Sequence, residues 1–406
     1  MLKSLNSRTR IKFFLLLIIF QSKIYADNNF SFKTYLSNIN NQTFWLSKNT
    51  NGIDLSKNTL NLFFNGDSKK FSYQMDLYFQ NNSRLVGESY IKFQLKNSSF
   101  IRAGQYYRDF SNYLNDEISL GHMLVSKNAL PIKKIGYVSK FTKNENLNFQ
   151  YGISHGLLGQ NSLYSKSPFL HEKFITLNYT KKNQSFIIGF VHEAIWAGNV
   201  SNYGNQPSSI KDFFKVFIAG DEPIREGQDH ANALGNHLGI WDFVYQYNSK
   251  NYTTKFYHQH FFEDTSGLRF ANGIDGLWGF EILDINSQNN FLLEYLHTTN
   301  QDSNPPYVND AYYNHAIYRA GWSYKDNTIG NPYINSSLVI PVNVINYGFQ
   351  THFNDFKIDV KSSRITNSSK EWNYMIGIKK DISIFSLGLV IANNSNEESF
   401  LITFEL

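Results

Sequence analysis

Histidines and carboxylates are the side chains that activate water or hold a metal, and one short stretch concentrates them: His258, His260, Glu263 and Asp264. Two residues apart, His258 and His260 share one face of a β-strand. With Glu263 or Asp264 they supply the groups that a metal centre or a water-activating pair requires. A plainer reading of the same four residues is a polar patch lining the interior of a barrel, and it is the stronger of the two. Serine is plentiful, yet no spacing marks a Ser-His-acid triad. The chain has no cysteine, which removes thiolate nucleophiles, thiolate-bound zinc, iron–sulfur clusters and any disulfide framework. The expectation is a non-enzymatic protein without metal or cofactor.

A second stretch has the vocabulary of carbohydrate recognition. Sugar rings offer an apolar face and a rim of hydroxyls, so their sites pair an aromatic plate with Asp, Asn, Arg or Glu. The segment from Trp196 to Gly235 contains Trp196, Tyr203, Phe213, Phe214, Arg225, Asp229 and His230. Trp196, Arg225, Asp229 and His230 are the expected polysaccharide contacts. An ordered surface loop of this length would contain such residues in any case, so their position in the fold decides.

The elements that must position these residues are strands. Along Phe71 to Gln80, Phe71, Tyr73, Met75, Leu77 and Phe79 fall on one face and Ser72, Gln74, Asp76, Tyr78 and Gln80 on the other. The same alternation recurs at Ser89 to Lys96, Asn146 to Ser154, Phe356 to Lys361 and Phe400 to Leu406. A lipid-crossing strand alternates in this way because one face meets hydrocarbon and the other the lumen. The pattern predicts about 18 such strands, among them 98–109, 133–142, 171–181, 236–248, 251–263 and 399–406. Tight turns near 66–69, 143–145, 182–183, 249–250 and 286–288 alternate with long segments near 38–58, 110–132, 196–235 and 300–342. Outer-membrane barrels have this order, short turns in the periplasm and long loops outside. A soluble sandwich or solenoid also alternates, but its outward faces would be charged rather than aromatic.

The 406 residues include 35 Phe and 26 Tyr, with 17% charged residues, which is too aromatic for a disordered chain. Lys3, Arg8, Arg10, Lys12 and Lys23 account for the whole formal charge of +5. The remainder is balanced, and an extended nucleic-acid face has no support. Those five residues flank the apolar run Phe13 to Phe20, followed by Ile24, Tyr25 and Ala26. About 8 apolar residues suit a signal peptide, whereas a membrane helix needs about 20. Residues 1–26 are therefore expected to be a removed signal peptide and 27–406 a single barrel domain.

Within and between the strands, Ser119 to Tyr137 (SLGHMLVSKNALPIKKIGY), His192 to Trp196 (HEAIW), Asn232 to Phe243 (NALGNHLGIWDF), Phe262 to Gly267 (FEDTSG), Asp275 to Glu281 (DGLWGFE) and Asn314 to Pro332 (NHAIYRAGWSYKDNTIGNP) come in an order that resembles the Wzi family of capsule assembly proteins. The resemblance implies an 18-stranded outer-membrane barrel with a largely plugged interior and a lectin-like role in holding capsular polysaccharide. It also implies that Ser126 and Asn128, with Pro131, lie in a segment folded into the lumen. By the same resemblance His237, Asp242, Asp264, Asp275 and Trp278 belong to a polar interior and upper rim, which His258 and His260 would join. The expected function is a surface barrel that binds capsular or other polysaccharide, with outer-membrane lipid around it. The alternative is a porin for oligosaccharides or other small solutes.

Overall fold

The computed structural model describes residues 27–37, 43–96, 98–222, 232–263, 265–300, 312–368, 371–394 and 397–406. Its frame is a closed antiparallel barrel of 18 strands. The first five are β1 (Asp27–Ser37), β2 (Thr59–Asp67), β3 (Phe71–Gln80), β4 (Ser89–Gln94) and β5 (Phe100–Tyr106). On the next wall stand β6 (Ile132–Asn144), β7 (Leu147–Leu157), β8 (Phe169–Lys181), β9 (Gln184–Trp196), β10 (Asn236–Asn248), β11 (Tyr252–Phe262), β12 (Gly276–Asp284) and β13 (Asn290–His297). The circuit ends with β14 (Asn343–Phe353), β15 (Phe356–Ile365), β16 (Trp372–Ile382), β17 (Phe385–Asn394) and β18 (Glu397–Glu405).

Each strand pairs with the next, and β18 returns to β1 through Lys33↔Glu405 to Ser37↔Leu401. Closure gives every strand two neighbours, so no edge exposes unpaired N–H and C=O groups. The expected strand count is therefore the observed one. The stretch expected at 98–109 ends earlier, at Tyr106, because the chain turns inward there; the stretch expected at 171–181 begins earlier, at Phe169, where it pairs with Trp196.

Alternation sorts the side chains. Ile135, Tyr151, Ile175, Ile188, Phe256 and Ile376 are exposed on the outer wall. Their sequence neighbours Lys134, Gln150, Phe174 and Tyr257 point inward, and Lys134 and Gln150 donate to the Tyr107 and Asp109 carbonyls of a segment inside the barrel. Short turns gather at one end, as at 181–184, 353–356 and 382–385, and both ends of the closed sheet, Asp27 and Glu405, lie there too. Asn354 takes a φ of 54° in its turn, a conformation that Asn tolerates better than most residues. Long connections gather at the other end.

Three of those connections run inward. From 43–58 come Trp45 and Ile53, from 107–131 come Phe110, Met123 and Leu124, and from 312–342 come Tyr313 and Trp322, all buried among inward-facing strand residues. Gly52, at φ 70°, lies against the backbone of Leu130; a Cβ would come within 2.2 Å of the Leu130 nitrogen, so a side chain there would push the two segments apart. The main core of this protein is thus the inside of the barrel.

Tyr257 of β11 covers Gly279 of β12, where an added Cβ would lie 2.0 Å from the ring. Gly279→Ala is expected to displace Tyr257 and lower stability by about 1–3 kcal/mol. A drop in the denaturation midpoint of the refolded barrel measures this. Gly377→Ala, whose Cβ would have ordinary contacts no closer than 3.8 Å, should leave the midpoint unchanged.

Candidate functional site

On β11 the residues Tyr257, Gln259 and Phe261 face the lumen. The Tyr257 hydroxyl donates to Glu294 at 2.6 Å, and the Gln259 side chain accepts from the Met123 amide at 3.0 Å and donates to the Tyr113 hydroxyl at 3.0 Å. A strand has two faces, so His258 and His260 face out. His258 stacks on Trp278 with 3.7 Å between ring centroids, and His260 lies 4.3 Å from Phe270 in a loop folded over the outer wall. Of the polar interior and upper rim expected to hold His258, His260 and Trp278, the interior is corrected: all three are on the outer face. His237 is corrected on the same ground, since Leu238 and Ile240 take the inner face; its ring meets His192 at 2.9 Å and the Leu234 carbonyl at 3.0 Å. Asp264 lies outside the described residues. Among the described residues no group of three or more His, Asp or Glu is placed to hold a metal.

The interior is organised around carboxylates that receive several donors each. Glu294 of β13 accepts from the Ser119 hydroxyl at 2.7 Å, the Leu120 amide at 2.6 Å and the Asn346 amide group at 3.0 Å, besides Tyr257. Asp242 of β10 accepts from Ser111 and from the Tyr113 hydroxyl. Lys134 of β6 donates to Glu172 of β8 at 2.9 Å. At the rim, Asp275 accepts from Tyr312, from His297 at 2.7 Å and from the Asn300 amide at 3.0 Å.

The inward segments also hold one another. Ser126 donates to the Gly330 carbonyl at 2.6 Å, Asn128 to the Thr328 carbonyl at 2.9 Å, Asn331 to the Gly121 carbonyl at 3.0 Å and the Trp322 indole to the Leu124 carbonyl at 2.9 Å. Tyr313 donates to the Met123 carbonyl while accepting from the Asn331 amide at 2.8 Å. Sequence reasoning placed Ser126 and Asn128 in this segment only by resemblance; Glu294, Gln259 and Asn331 it missed, since a single Glu, Gln or Asn has no spacing that marks it. Toward the short-turn end a cavity of about 420 Å³ remains, lined by Asp109, Gln150, Asn178 and Asp242 among others.

Trp196 ends β9 on the outer face. It is buried against Phe169 and Phe213, with ring centroids 5.4 and 5.8 Å away, beneath a helix that spans Ile210–Phe217. Ser209 caps that helix reciprocally with Asp212. An indole so covered offers no open plate, which corrects its expected role as a sugar contact. Arg225, Asp229 and His230 lie outside the described residues.

An aromatic residue does stand open elsewhere in the same connection. A three-stranded ribbon of Tyr164–Lys166, Asn199–Val200 and Gly204–Asn205 projects at the long-connection end. Ser165 donates to Asn199 at 2.8 Å, and Asn199 to Asn205 at 2.9 Å. Beside it Tyr203 is 38% exposed, with the Arg319 guanidinium 5.7 Å from the ring centroid and 3.4 Å from the hydroxyl. Ring, guanidinium and amides are the mixture that composition had led us to expect around Trp196.

The sequence pattern of the family described as capsule assembly protein Wzi matches residues 68–347. The chain belongs to this Wzi family. No curated protein matches it. Among solved structures, a mutant of the Rh. blastica porin is similar at 8% identity over 94% of this chain and 98% of that one, with a TM-score of 0.41. A loop-deletion mutant of OmpT, an outer membrane protein of Vibrio cholerae, is similar at 8% identity over 94% and 99%, with a TM-score of 0.36. The matched region of this Wzi-family barrel runs from β3 to β14 and includes both 107–131 and 312–342.

His122 tests how tightly the inward segments are held. Its Nδ1 accepts from the Leu124 and Val125 amides at 3.0 and 3.2 Å, and burial, with Arg108 nearby, holds its pKa well below the usual histidine range. A detached segment would titrate near 6.5, so it gains a proton that the packed state refuses, and packing weakens as pH falls below about 6.5, by up to ~1.4 kcal/mol per pH unit. Amide exchange at Leu124 and Val125, corrected for intrinsic rates, should accelerate between about pH 7.5 and 5.5. His122→Asn, which keeps an acceptor but cannot titrate, should remove that acceleration.

Proposed function

We propose that this Wzi-family barrel binds capsular or other surface polysaccharide at its long-connection end, which faces out of the cell, and so retains the polymer there. Residues 1–26 direct export and are removed. The observation that carries the reading is the interlock inside the barrel. An 18-stranded barrel is wide enough for an aqueous channel unless something fills it, and here 107–131 is tied to Glu294, Gln259 and Asn346 of the wall, and 312–342 is tied to 107–131. A solute would have to break a buried network to pass, which weighs against the porin and leaves the rim for polymer contact.

At the rim, the Tyr203–Arg319 pair with Asn199 and Asn205 offers a face for a sugar ring and donors for its hydroxyls. One such platform is weak. A polymer presents its repeat many times, and repeated weak contacts among neighbouring barrels retain it by avidity. The work is binding rather than turnover, and no cofactor enters it.

The test is binding of the refolded mature chain, residues 27–406, to surface polysaccharide from its own source. Replacing Tyr203 and Arg319 together by Ala should weaken binding roughly tenfold, as stacking and cationic contacts of about 0.5–1 kcal/mol each are lost. Unchanged binding would remove the platform from the reading. Single-channel conductance should stay far below that of an open barrel of this size, and a porin-like conductance would replace retention with transport.

A further inference from the structure

The helix over Ile210–Phe217 uses only part of its apolar surface against the barrel. Phe213 and Phe217 meet His171 of β8 at ring-centroid distances of 5.3 and 5.5 Å, and Val216 is fully buried beside them. Ile210, Phe214 and Ile218, four residues apart and so stacked along one stripe, are 79%, 62% and 73% exposed. Lys211, Asp212 and Lys215 occupy the remaining sector. An apolar face wider than its protein contact, beside a charged face, is the pattern of a helix lying in a membrane interface.

Its position supplies the occupant. The helix rests on outward residues of β8 and β9, and the same outward rows continue toward the short-turn end as Ile175, Phe186 and Ile188, which are exposed and apolar. Lys173, at the junction, sets its ammonium 4.2 Å over the Phe217 ring. A lysine among aromatic rings just above an apolar band marks the level where hydrocarbon gives way to headgroups.

We infer that the Ile210–Phe214–Ile218 stripe is a lipid-binding surface, seated among the acyl chains of the leaflet at the long-connection end. The apolar wall of the barrel is thereby extended outward by one helix along β8 and β9. Acyl chains, and not a second copy of this chain, are the occupant because the stripe adjoins the lipid-facing rows of the barrel itself. The inference rests on the membrane-spanning fold and is independent of any polysaccharide site.

The chain has no cysteine, so a single one can be introduced and spin-labelled. The full-length barrel is reconstituted in phospholipid vesicles after Phe214→Cys, Ile218→Cys or, as a water-facing control, Asn205→Cys. Collision with oxygen, which concentrates in hydrocarbon, is compared with collision with a water-soluble nickel chelate. At 214 and 218 the oxygen-to-nickel ratio should be several-fold higher than at 205. A ratio at 214 and 218 equal to the control in vesicles overturns the inference, as does shielding from both probes, which would point to a second protein surface. Heat-dependent gel migration of each labelled protein establishes that the barrel has formed.

Discussion

A chain that crosses hydrocarbon as strands must satisfy each backbone N–H and C=O within the sheet, and closure is the only arrangement without an edge. The pairing of β18 with β1 meets that requirement here. Once the sheet is closed, every residue's parity assigns it to lipid or lumen, and a shift by one position would exchange the two sets completely. The rest of the molecule follows from that assignment: an aromatic and aliphatic outer wall, and an inner wall whose polar groups need partners.

The inner wall finds those partners in its own connections. Buried polar groups left unpaired cost about 1–3 kcal/mol each, and an empty barrel would meet that demand with water. This one meets it with backbone. Glu294 receives four donors from three parts of the chain, and the amides of Leu120 and Met123 end on side chains of β13 and β11. Segments whose amides end on the wall cannot leave without exposing both sides, so the contents of the lumen are part of the fold.

Much of the frame was legible in the sequence because it depends on a period of two sustained over ten residues. Strands such as Leu147–Leu157 have aromatics on one face and amides on the other, and their bounds lie within about two residues of the expected ones. The site was less legible. In Phe256 to Phe262 aromatic rings fall at both parities, so residue type does not say which way His258 and His260 point; the partners of Tyr257 and Gln259 do. Trp196 was misread for a related reason. Its character as a possible sugar plate is local, but whether it is open depends on a helix some fifteen residues later that folds back over it. Tyr203, a ring that does stand open, is unremarkable in a chain with so many tyrosines.

The outward histidines explain why the outer wall is not uniformly bare. Six of the chain's eleven, His155, His171, His192, His237, His258 and His260, lie on the outer face of β7 to β11, toward the long-connection end. An imidazole facing hydrocarbon loses its hydrogen bonds to water. The wall answers in two ways. Rings stack on rings, as His192 on His237 and His258 on Trp278, and connections fold down as covers, the helix over His171 and the loop with Phe270 over His260. A cover that hides polar groups from lipid must itself present an apolar back. On this wall the position of Ile210, Phe214 and Ile218 follows from that need: the helix that shields the histidines replaces the surface they would have interrupted.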